Sequence, residues 1–281
     1  MIKTLVVNGC SWTAGNELEH DPAFEALIHS VGLRKHNPQD YNDWNLVDNT
    51  GEIVSSFDKF YDQLNWAGRL REKLAIPDLV NLSTGGGSNT RILRTTIDHV
   101  TTLPEDKRSE TLIVVGWTIS ERDELYVADS WQRWNATQTF SSTVDRLTLN
   151  NDKLIKKLDK FQEDYIALVH NDYAAVYRYF QQSYLLANLL DNLGIHYFFF
   201  NALPAWFSAG PLASNIDIVE KFNQQIQWQE THRKMLSNND TMFEFVNLGS
   251  YPVAPYKHPL SQGHLAWANY IYETLLKRQL I

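Results

Sequence analysis

The sequence predicts an α/β protein of three layers, in which helices cover both faces of a central, mostly parallel sheet of about five strands. Two observations support this prediction. Several short runs are apolar throughout and rich in β-branched or aromatic residues, as in strands that are buried on both faces. Segments with a helical spacing of apolar residues separate most of these runs, as in parallel strands joined by crossover helices.

The individual elements follow from these patterns. Strands are predicted at residues 2–7, 79–82, 111–116, 196–200 and 243–246. Helices are predicted at residues 63–75, 90–101, 154–193 (two helices meeting near residue 171), 216–235 and 261–280. Polar insertions of short helices and loops are expected at about 17–62 and 125–151. Since no linker or repeat interrupts the chain, we expect one domain over residues 1–281.

The bulk composition excludes several classes of function. The 281 residues, 43% of them hydrophobic, can bury a large core. The net charge of −8 and the lack of a Lys- or Arg-rich run argue against nucleic acid or an anionic membrane as partners. No apolar run is long enough for a membrane span, and no secretion signal opens the sequence, so we expect a cytoplasmic protein. The sequence leaves the oligomeric state open.

Metal and disulfide chemistry are not expected either. Cys10 is the single cysteine, so a disulfide within the chain and a cysteine-based metal site are both impossible. The histidines lack the spacing of metal ligands, and we therefore expect no metal.

Three predicted strands end in turns of small or polar residues. Ser11 follows the first strand, three glycines at positions 85–87 follow the second, and Thr118 comes just after the third. Because ligands of open α/β sheets bind at the carboxyl ends of the strands, these turns are candidates for a common site. His258 stands near the C-terminus, just before the last predicted helix, and could serve as a base.

Acyl transfer requires a hydroxyl nucleophile, a base that takes its proton, and donors that bind the oxyanion. The sequence offers a candidate for each role at the end of a separate element. Other roles are open as well. Ser11 could cap the following helix, and His258 could be an ordinary surface residue. Gly85, Gly86 or Gly87 could supply a backbone N–H as an oxyanion donor.

Four short blocks resemble the SGNH (GDSL-like) hydrolase superfamily in order and spacing. They are Gly-Cys-Ser-Trp-Thr-Ala-Gly at 9–15, Asn-Leu-Ser-Thr-Gly-Gly-Gly-Ser-Asn at 81–89, Val-Gly-Trp-Thr at 115–118, and His-Pro with Gly-His between 258 and 264. The resemblance spans nearly the whole chain and implies an SGNH, flavodoxin-like fold.

The resemblance also implies site residues. Ser11 would be the nucleophile and His258 the base, and the oxyanion would be held by the N–H groups of Ser11 and Gly86 together with Thr118. It implies no cofactor and a small acyl ester as substrate, such as an O-acetyl group on a carbohydrate. Substrate contacts are expected from residues near these blocks, namely Trp12, Asn89, Trp117 and Arg122. Arg122 could instead belong to a solvated salt-bridge cluster, and Asn89 could brace its loop.

The chain departs from the family pattern at two positions. Thr118 stands where the family has an oxyanion-binding Asn, and Pro255 stands where it has the Asp that orients the base. A backbone carbonyl near Ala254 or Tyr256, or a carboxylate from elsewhere, would have to orient His258. The site is therefore expected to be a Ser–His dyad or a triad, and loss of the orienting carboxylate costs roughly 10⁴-fold in rate in known triads.

The sequence thus supports a serine esterase of SGNH type as the first hypothesis. The alternative is a catalytically weak or inactive module of the same fold that binds a carbohydrate or another ligand. A nucleotide-binding protein that uses the glycine loop is a third hypothesis. It is weaker, because the loop lacks the Lys of a P-loop and the spacing of a dinucleotide fingerprint.

Overall fold

The computed structural model describes residues 1–36, 45–48, 50, 53–55, 58–127, 129–135, 152–204, 220–237 and 240–281. The strands are β1 (Thr4–Gly9), β2 (Arg34–His36), β3 (Asn45–Val47), β4 (Ile53–Ser55), β5 (Asp78–Asn81), β6 (Thr111–Trp117), β7 (Arg122–Val127), β8 (Ser130–Asn135) and β9 (His196–Asn201).

The helices are α1 (Ser11–Ala14), α2 (Pro22–Ser30), α3 (Asp58–Leu64), α4 (Trp66–Lys73), α5 (Asn89–Thr102), α6 (Glu105–Arg108), α7 (Asp152–Leu168), α8 (Asp172–Asn192), α9 (Asn223–Thr231), α10 (Met242–Leu248) and α11 (Ser261–Lys277). A short 3₁₀ helix spans Leu18–His20. No helix among these residues is long and apolar enough to cross a membrane.

The central sheet confirms the predicted three-layer α/β architecture. Its strand order is β5-β1-β6-β9, and every neighbouring pair is parallel. The first strand is therefore an inner strand, with β5 on one side and β6 on the other. In the register of β1 and β6, Gly9 lies opposite Gly116. Parallel pairing brings the ends of these strands, and the turns that follow them, to one edge of the sheet.

The two faces of the sheet carry separate apolar cores, because successive side chains of a strand point to opposite faces. Leu5 and Val7 of β1 pack with buried residues of α4 and α11. Val6 packs on the other face with residues of α5 and α8. Burial on both faces explains why these strands are apolar throughout rather than alternating.

The central sheet has four strands among the described residues, and the fifth strand predicted at residues 243–246 is wrong. These residues lie in α10, and Thr241 is the N-cap of this helix. The Thr241 hydroxyl accepts a hydrogen bond from the Glu244 N–H at 3.0 Å and donates to the Glu244 carboxylate at 3.0 Å. A short apolar run fits a strand or a buried helix equally well, and here the cap decides. Within the part of the chain that the structure describes, a single bridge between Met235 and Phe199 extends the sheet beyond β9.

The predicted helices at 63–75, 90–101, 154–193 and 261–280 correspond to α4, α5, the pair α7–α8 and α11. Asn171 caps α8, since its side chain accepts the N–H groups of Tyr173 and Ala174. Of the helix predicted at 216–235, α9 is observed, and residues 216–219 lie outside the described residues.

The insertions contain more regular structure than predicted. Strands β2, β3 and β4 form an antiparallel sheet of their own within residues 17–62. Residues 125–127 were expected to be irregular but end β7, which pairs with β8 in an antiparallel hairpin. Cross-strand pairing supplies order that the polar sequence does not reveal. Residues 136–151 lie outside the described part of the chain.

A buried histidine joins the two helices on one face of the sheet. His264 of α11 is fully buried, and its Nδ1 accepts a hydrogen bond from the Trp66 N–H at the start of α4, at 3.3 Å. Burial, and secondly the charge of His258, lower the pKa of His264 to about 3. The folded protein therefore holds this imidazole neutral in the range where the unfolded chain protonates it.

This pKa predicts a loss of stability in mild acid. Because the pKa of His264 in the folded protein lies below the unfolded value of 6.5, its contribution to stability is complete above pH 6.5. This contribution falls as the pH decreases toward 3. The free energy of unfolding should lose about 2 kcal/mol from His264 between pH 7 and 5. His264→Asn keeps an acceptor for Trp66 and removes the titration, so its unfolding free energy should depend less on pH. Urea denaturation at a series of pH values measures the unfolding free energy of the wild type and of His264→Asn. The variant His20→Asn, at an exposed site, is the control. A wild-type pH slope in His264→Asn would contradict this account.

Candidate active site

A tight turn at the end of β1 places Ser11 at the carboxyl edge of the sheet. Cys10 is extended, and Ser11 is the first residue of α1. Gly9 allows the close approach that this turn requires. A Cβ at position 9 would lie 2.2 Å from Oγ1 of Thr13 and 2.9 Å from the carbonyl oxygen of Gly116. Any side chain there would therefore displace the turn that carries Ser11.

Ser11 contacts His258 across 247 positions of sequence. The Ser11 hydroxyl donates to Nε2 of His258 at 2.8 Å. His258 stands at the end of a turn closed by two backbone bonds. The Ala254 N–H donates to the His258 carbonyl at 2.8 Å, and the Lys257 N–H donates to the Ala254 carbonyl at 2.9 Å. The structure thus brings together the two residues that the sequence proposes as nucleophile and base.

Glu17 supplies a carboxylate on the other side of the imidazole. Nδ1–H of His258 donates to Oε2 of Glu17 at 2.7 Å. The Tyr256 N–H also donates to this carboxylate, at 3.1 Å from Oε1 and 3.2 Å from Oε2. The His258 N–H makes a longer contact with Oε2, at 3.5 Å. With the proton on Nδ1, Nε2 is free to accept the Ser11 hydroxyl, which is the tautomer that a general base requires.

Backbone strain flanks this contact on both sides. Glu17 and Lys257 have φ angles of 68° and 70°, in the left-handed region that residues with a Cβ rarely adopt. Such conformations cost about 1–3 kcal/mol each and persist only where the surroundings enforce them. Here the hydrogen bonds to the Glu17 carboxylate hold the two loops together.

The orienting group is the part of the site that the sequence left open. The sequence pattern places Glu17 in a polar insertion and outside the predicted site. One signal could have identified it. An acidic residue that follows Ser11 by a few positions can reach an imidazole that contacts Ser11. Glu17 and Glu19 are the acidic residues in that range.

Apolar rings pack on one side of the contact between Ser11 and His258. Trp12 is almost fully buried, and its ring centroid lies 6.1 Å from that of His258 and 5.4 Å from that of Phe243. Phe243 belongs to α10, so this helix contributes a wall of the site. Trp12 therefore packs beside the His258 imidazole.

The glycine loop after β5 packs against the turn of Ser11. The Thr84 N–H donates to the Gly9 carbonyl at 3.2 Å. Gly86 has a φ angle of 67°, which favours glycine at this position. Neither the Ser11 nor the Gly86 N–H donates a hydrogen bond to the described residues. Both are therefore available to a ligand, as an oxyanion would require.

The segment at 115–118 carries Thr118 in place of an amide side chain, and the amide of Asn89 holds its backbone. Asn89 is buried, and its side chain accepts from the Thr118 N–H at 2.8 Å and donates to the Thr118 carbonyl at 3.0 Å. The Thr118 hydroxyl accepts from the Arg122 guanidinium at 3.2 Å, which leaves its own hydrogen to donate. Asn89 thus fixes the backbone after β6, and Arg122 brings a positive charge to the same position.

The position of Trp117 differs from the expected substrate contact. Its side chain is fully buried and packs edge-on against Tyr179 and Phe199 in the core between the sheet and α8. We therefore assign Trp117 to the core, because an inward-pointing residue at the end of a buried strand has no exposed face. Among the described residues, no group of three or more His, Cys, Asp or Glu could hold a metal ion.

Three solved structures illustrate what the chain resembles in shape. A protein assigned to the lipolytic G-D-S-L family from Desulfitobacterium hafniense DCB-2 is 9% identical, with a TM-score of 0.42 and coverage of 97% of this chain and 99% of that one. TesA is 12% identical, with a TM-score of 0.45 and coverage of 99% and 100%. A carbohydrate esterase whose active site is described as having divergent catalytic and non-catalytic binding functions is 11% identical, with a TM-score of 0.41 and coverage of 98% and 68%.

These similarities are too distant to assign an activity, and no curated protein matches the sequence. One protein family does match. Its model covers residues 45–281, from β3 to the C-terminus, and is described as a family of unknown function. The chain therefore belongs to this family, DUF6071.

Proposed function

We propose that the protein is a serine ester hydrolase that uses a triad of Ser11, His258 and Glu17. One observation supports this most strongly, namely the continuous line of hydrogen bonds from the Ser11 hydroxyl through both imidazole nitrogens to the Glu17 carboxylate, at 2.8 and 2.7 Å. Nucleophile, base and orienting group are each within hydrogen-bond distance of the next, which is the arrangement that activates a hydroxyl.

In the first half of the reaction, Oγ of Ser11 attacks the carbonyl carbon of the ester while its proton moves to Nε2 of His258. The carbonyl oxygen becomes an oxyanion, which the N–H groups of Ser11 and Gly86 and the Thr118 hydroxyl stabilise. The tetrahedral intermediate then expels the alcohol, which takes the proton from Nε2. An acyl group remains on Ser11.

In the second half, a water molecule gives a proton to Nε2 of His258 and attacks the acyl carbon. The second tetrahedral intermediate collapses, the Ser11 oxygen leaves and recovers the proton, and a carboxylic acid is released. Glu17 keeps its charge throughout and stabilises the imidazolium that forms in each half. No step requires a cofactor.

The substrate that we propose is a small acyl ester, such as an O-acetyl group on a carbohydrate. A second candidate, a module that binds such a ligand without cleaving it, was motivated by two departures from the SGNH pattern. Glu17 offers a carboxylate in place of the one missing at Pro255. The replacement of an oxyanion-binding Asn by Thr118 still favours the second candidate, and covalent labelling separates the two.

The first prediction concerns the nucleophile. Because Nε2 of His258 accepts the Ser11 proton, a fluorophosphonate probe should label the wild-type protein at Ser11, as peptide mass spectrometry can establish. Ser11→Ala should show no labelling, whereas Ser30→Ala, at an exposed position of α2, should be labelled as the wild type is. An unlabelled wild type that still binds carbohydrate would favour the non-catalytic module.

The second prediction concerns the orienting carboxylate. In Glu17→Gln, the single amide oxygen would accept the Tyr256 N–H, and the amide NH₂ would face Nδ1 of His258. Nδ1 would then have to be an acceptor and Nε2 would carry the proton, which is the wrong tautomer for a base. The kcat for p-nitrophenyl acetate should fall by about 10⁴-fold, as in known triads, with little change in KM.

The matched control for this variant is Glu19→Gln, two residues further along, where the carboxylate accepts from the Tyr61 hydroxyl instead. Its kcat should stay within about threefold of the wild type, because that carboxylate makes no bond to the imidazole. Thermal denaturation of both variants identifies any loss of folding. Equal activity of wild type and folded Glu17→Gln would remove Glu17 from the mechanism.

A further inference from the structure

A polar cavity of about 370 Å³ lies beside the catalytic turn. Its volume falls within the usual range of small-molecule sites. The walls come from the end of α1, from α3, and from the end of β5 with the glycine loop. The lining residues with polar side chains are Asn16, Tyr61, Asp62, Asn81, Ser83 and Thr84.

The lining is rich in hydrogen-bonding groups and contains no Lys, Arg or His. Asp62 carries its one full negative charge. Oδ1 of Asp62 accepts the amide N–H groups of Asn81 at 3.0 Å and Asn65 at 3.2 Å. No hydrogen bond within the described residues uses Oδ2. The carboxylate is thus fixed in orientation by one oxygen and keeps the other as an acceptor.

The cavity lies beside the proposed active site, and its lining residues adjoin Ser11, Glu17 and Gly86 without including them. The Asn16 N–H donates to the Ser11 carbonyl at 3.1 Å, and Glu17 is the next residue along the chain. The Asn16 side chain packs against Gly85, since a Cβ at position 85 would lie 2.6 Å from its Nδ2. Gly85 in turn precedes Gly86. A ligand that fills this cavity would contact the residues next to the nucleophile, the orienting carboxylate and the glycine donor.

We propose that this cavity is a subsite for a neutral, hydroxyl-rich part of the ester substrate, of the size of one sugar ring, with Asp62 as its main acceptor. The proposal rests on the ester hydrolase function above. Sugar hydroxyls donate to a carboxylate and exchange hydrogen bonds with amide and hydroxyl side chains. The negative charge and the lack of lining cations disfavour phosphate or carboxylate groups, and the polar walls disfavour a long acyl chain.

Asp62→Asn tests the subsite with little change in shape. The new amide oxygen can still accept from Asn65 and Asn81, while an NH₂ donor replaces the acceptor Oδ2. The two substrates are a methyl glucopyranoside carrying one O-acetyl group and p-nitrophenyl acetate. In Asp62→Asn, the ratio of kcat/KM for the sugar ester to kcat/KM for p-nitrophenyl acetate should fall at least tenfold, since a hydrogen bond to a charged group is lost. Gln63, the exposed neighbour of Asp62, provides the control. The variant Gln63→Ala should leave the ratio unchanged.

Binding without catalysis separates this proposal from the proposed function. In a Ser11→Ala background, calorimetry with the same acetylated glucopyranoside should give a Kd that is at least tenfold weaker when Asp62→Asn is added. If the wild type hydrolyses neither ester but this shift in Kd is observed, the hydrolase function fails and the subsite stands. An unchanged Kd, no binding at all, or a wild-type preference for p-nitrophenyl octanoate over the sugar ester would overturn the subsite.

Discussion

The hydrogen bond between Glu17 and His258 is the contact on which the candidate site depends. It joins a loop near the start of the chain to a turn near its end, 241 positions away. It also fixes the proton on Nδ1, so that Nε2 faces Ser11 as an acceptor. Without this bond, the serine and the histidine would still be neighbours, but neither the tautomer nor the orientation of the imidazole would be determined.

The strain around this bond indicates how it is maintained. Two non-glycine residues, Glu17 and Lys257, adopt left-handed conformations at the points where the loops meet. The carboxylate offsets that cost by accepting the Tyr256 N–H as well as the imidazole N–H. Hydrogen bonds to a charged acceptor are stronger than those between neutral groups, and the site is largely buried. A neutral side chain at position 17 would therefore lose both the orientation of the His258 imidazole and part of the hydrogen bonding that holds the two loops together.

Much of the fold could be read from the sequence because its signals are local. Continuous apolar runs identified the four parallel strands, and helical periodicity identified α4, α5, α8 and α11. The error at residues 243–246 has a physical cause. Three apolar residues around Glu244 fit a strand or a helix, and the N-cap that Thr241 forms with the Glu244 N–H had to be weighed against them. The β7–β8 hairpin depends on pairing between two polar segments, and no single segment reveals such pairing.

In the candidate site, too, some residues could be predicted from the sequence and others could not. Ser11, Gly86 and His258 stand in motifs, so their roles could be proposed from their neighbours in sequence. Glu17 stands in no motif, and only the folded chain shows which carboxylate meets the imidazole. Burial of Trp117 was equally hidden, because a residue at a strand end can face the core or the solvent.

The Glu17 carboxylate changes the interpretation of Pro255, which stands where the SGNH pattern has an Asp. In the SGNH pattern, the orienting acid and the base share one loop. Pro255 taken alone therefore predicts a Ser–His dyad of low activity. In this chain the Glu17 carboxylate comes from the loop that follows Ser11, and it also accepts the Tyr256 N–H from the turn that carries His258. The requirement is geometric, a carboxylate within hydrogen-bond distance of Nδ1, and any loop that reaches this point can satisfy it. Departure from a motif at one position therefore says little about activity until the surrounding space has been searched for a substitute.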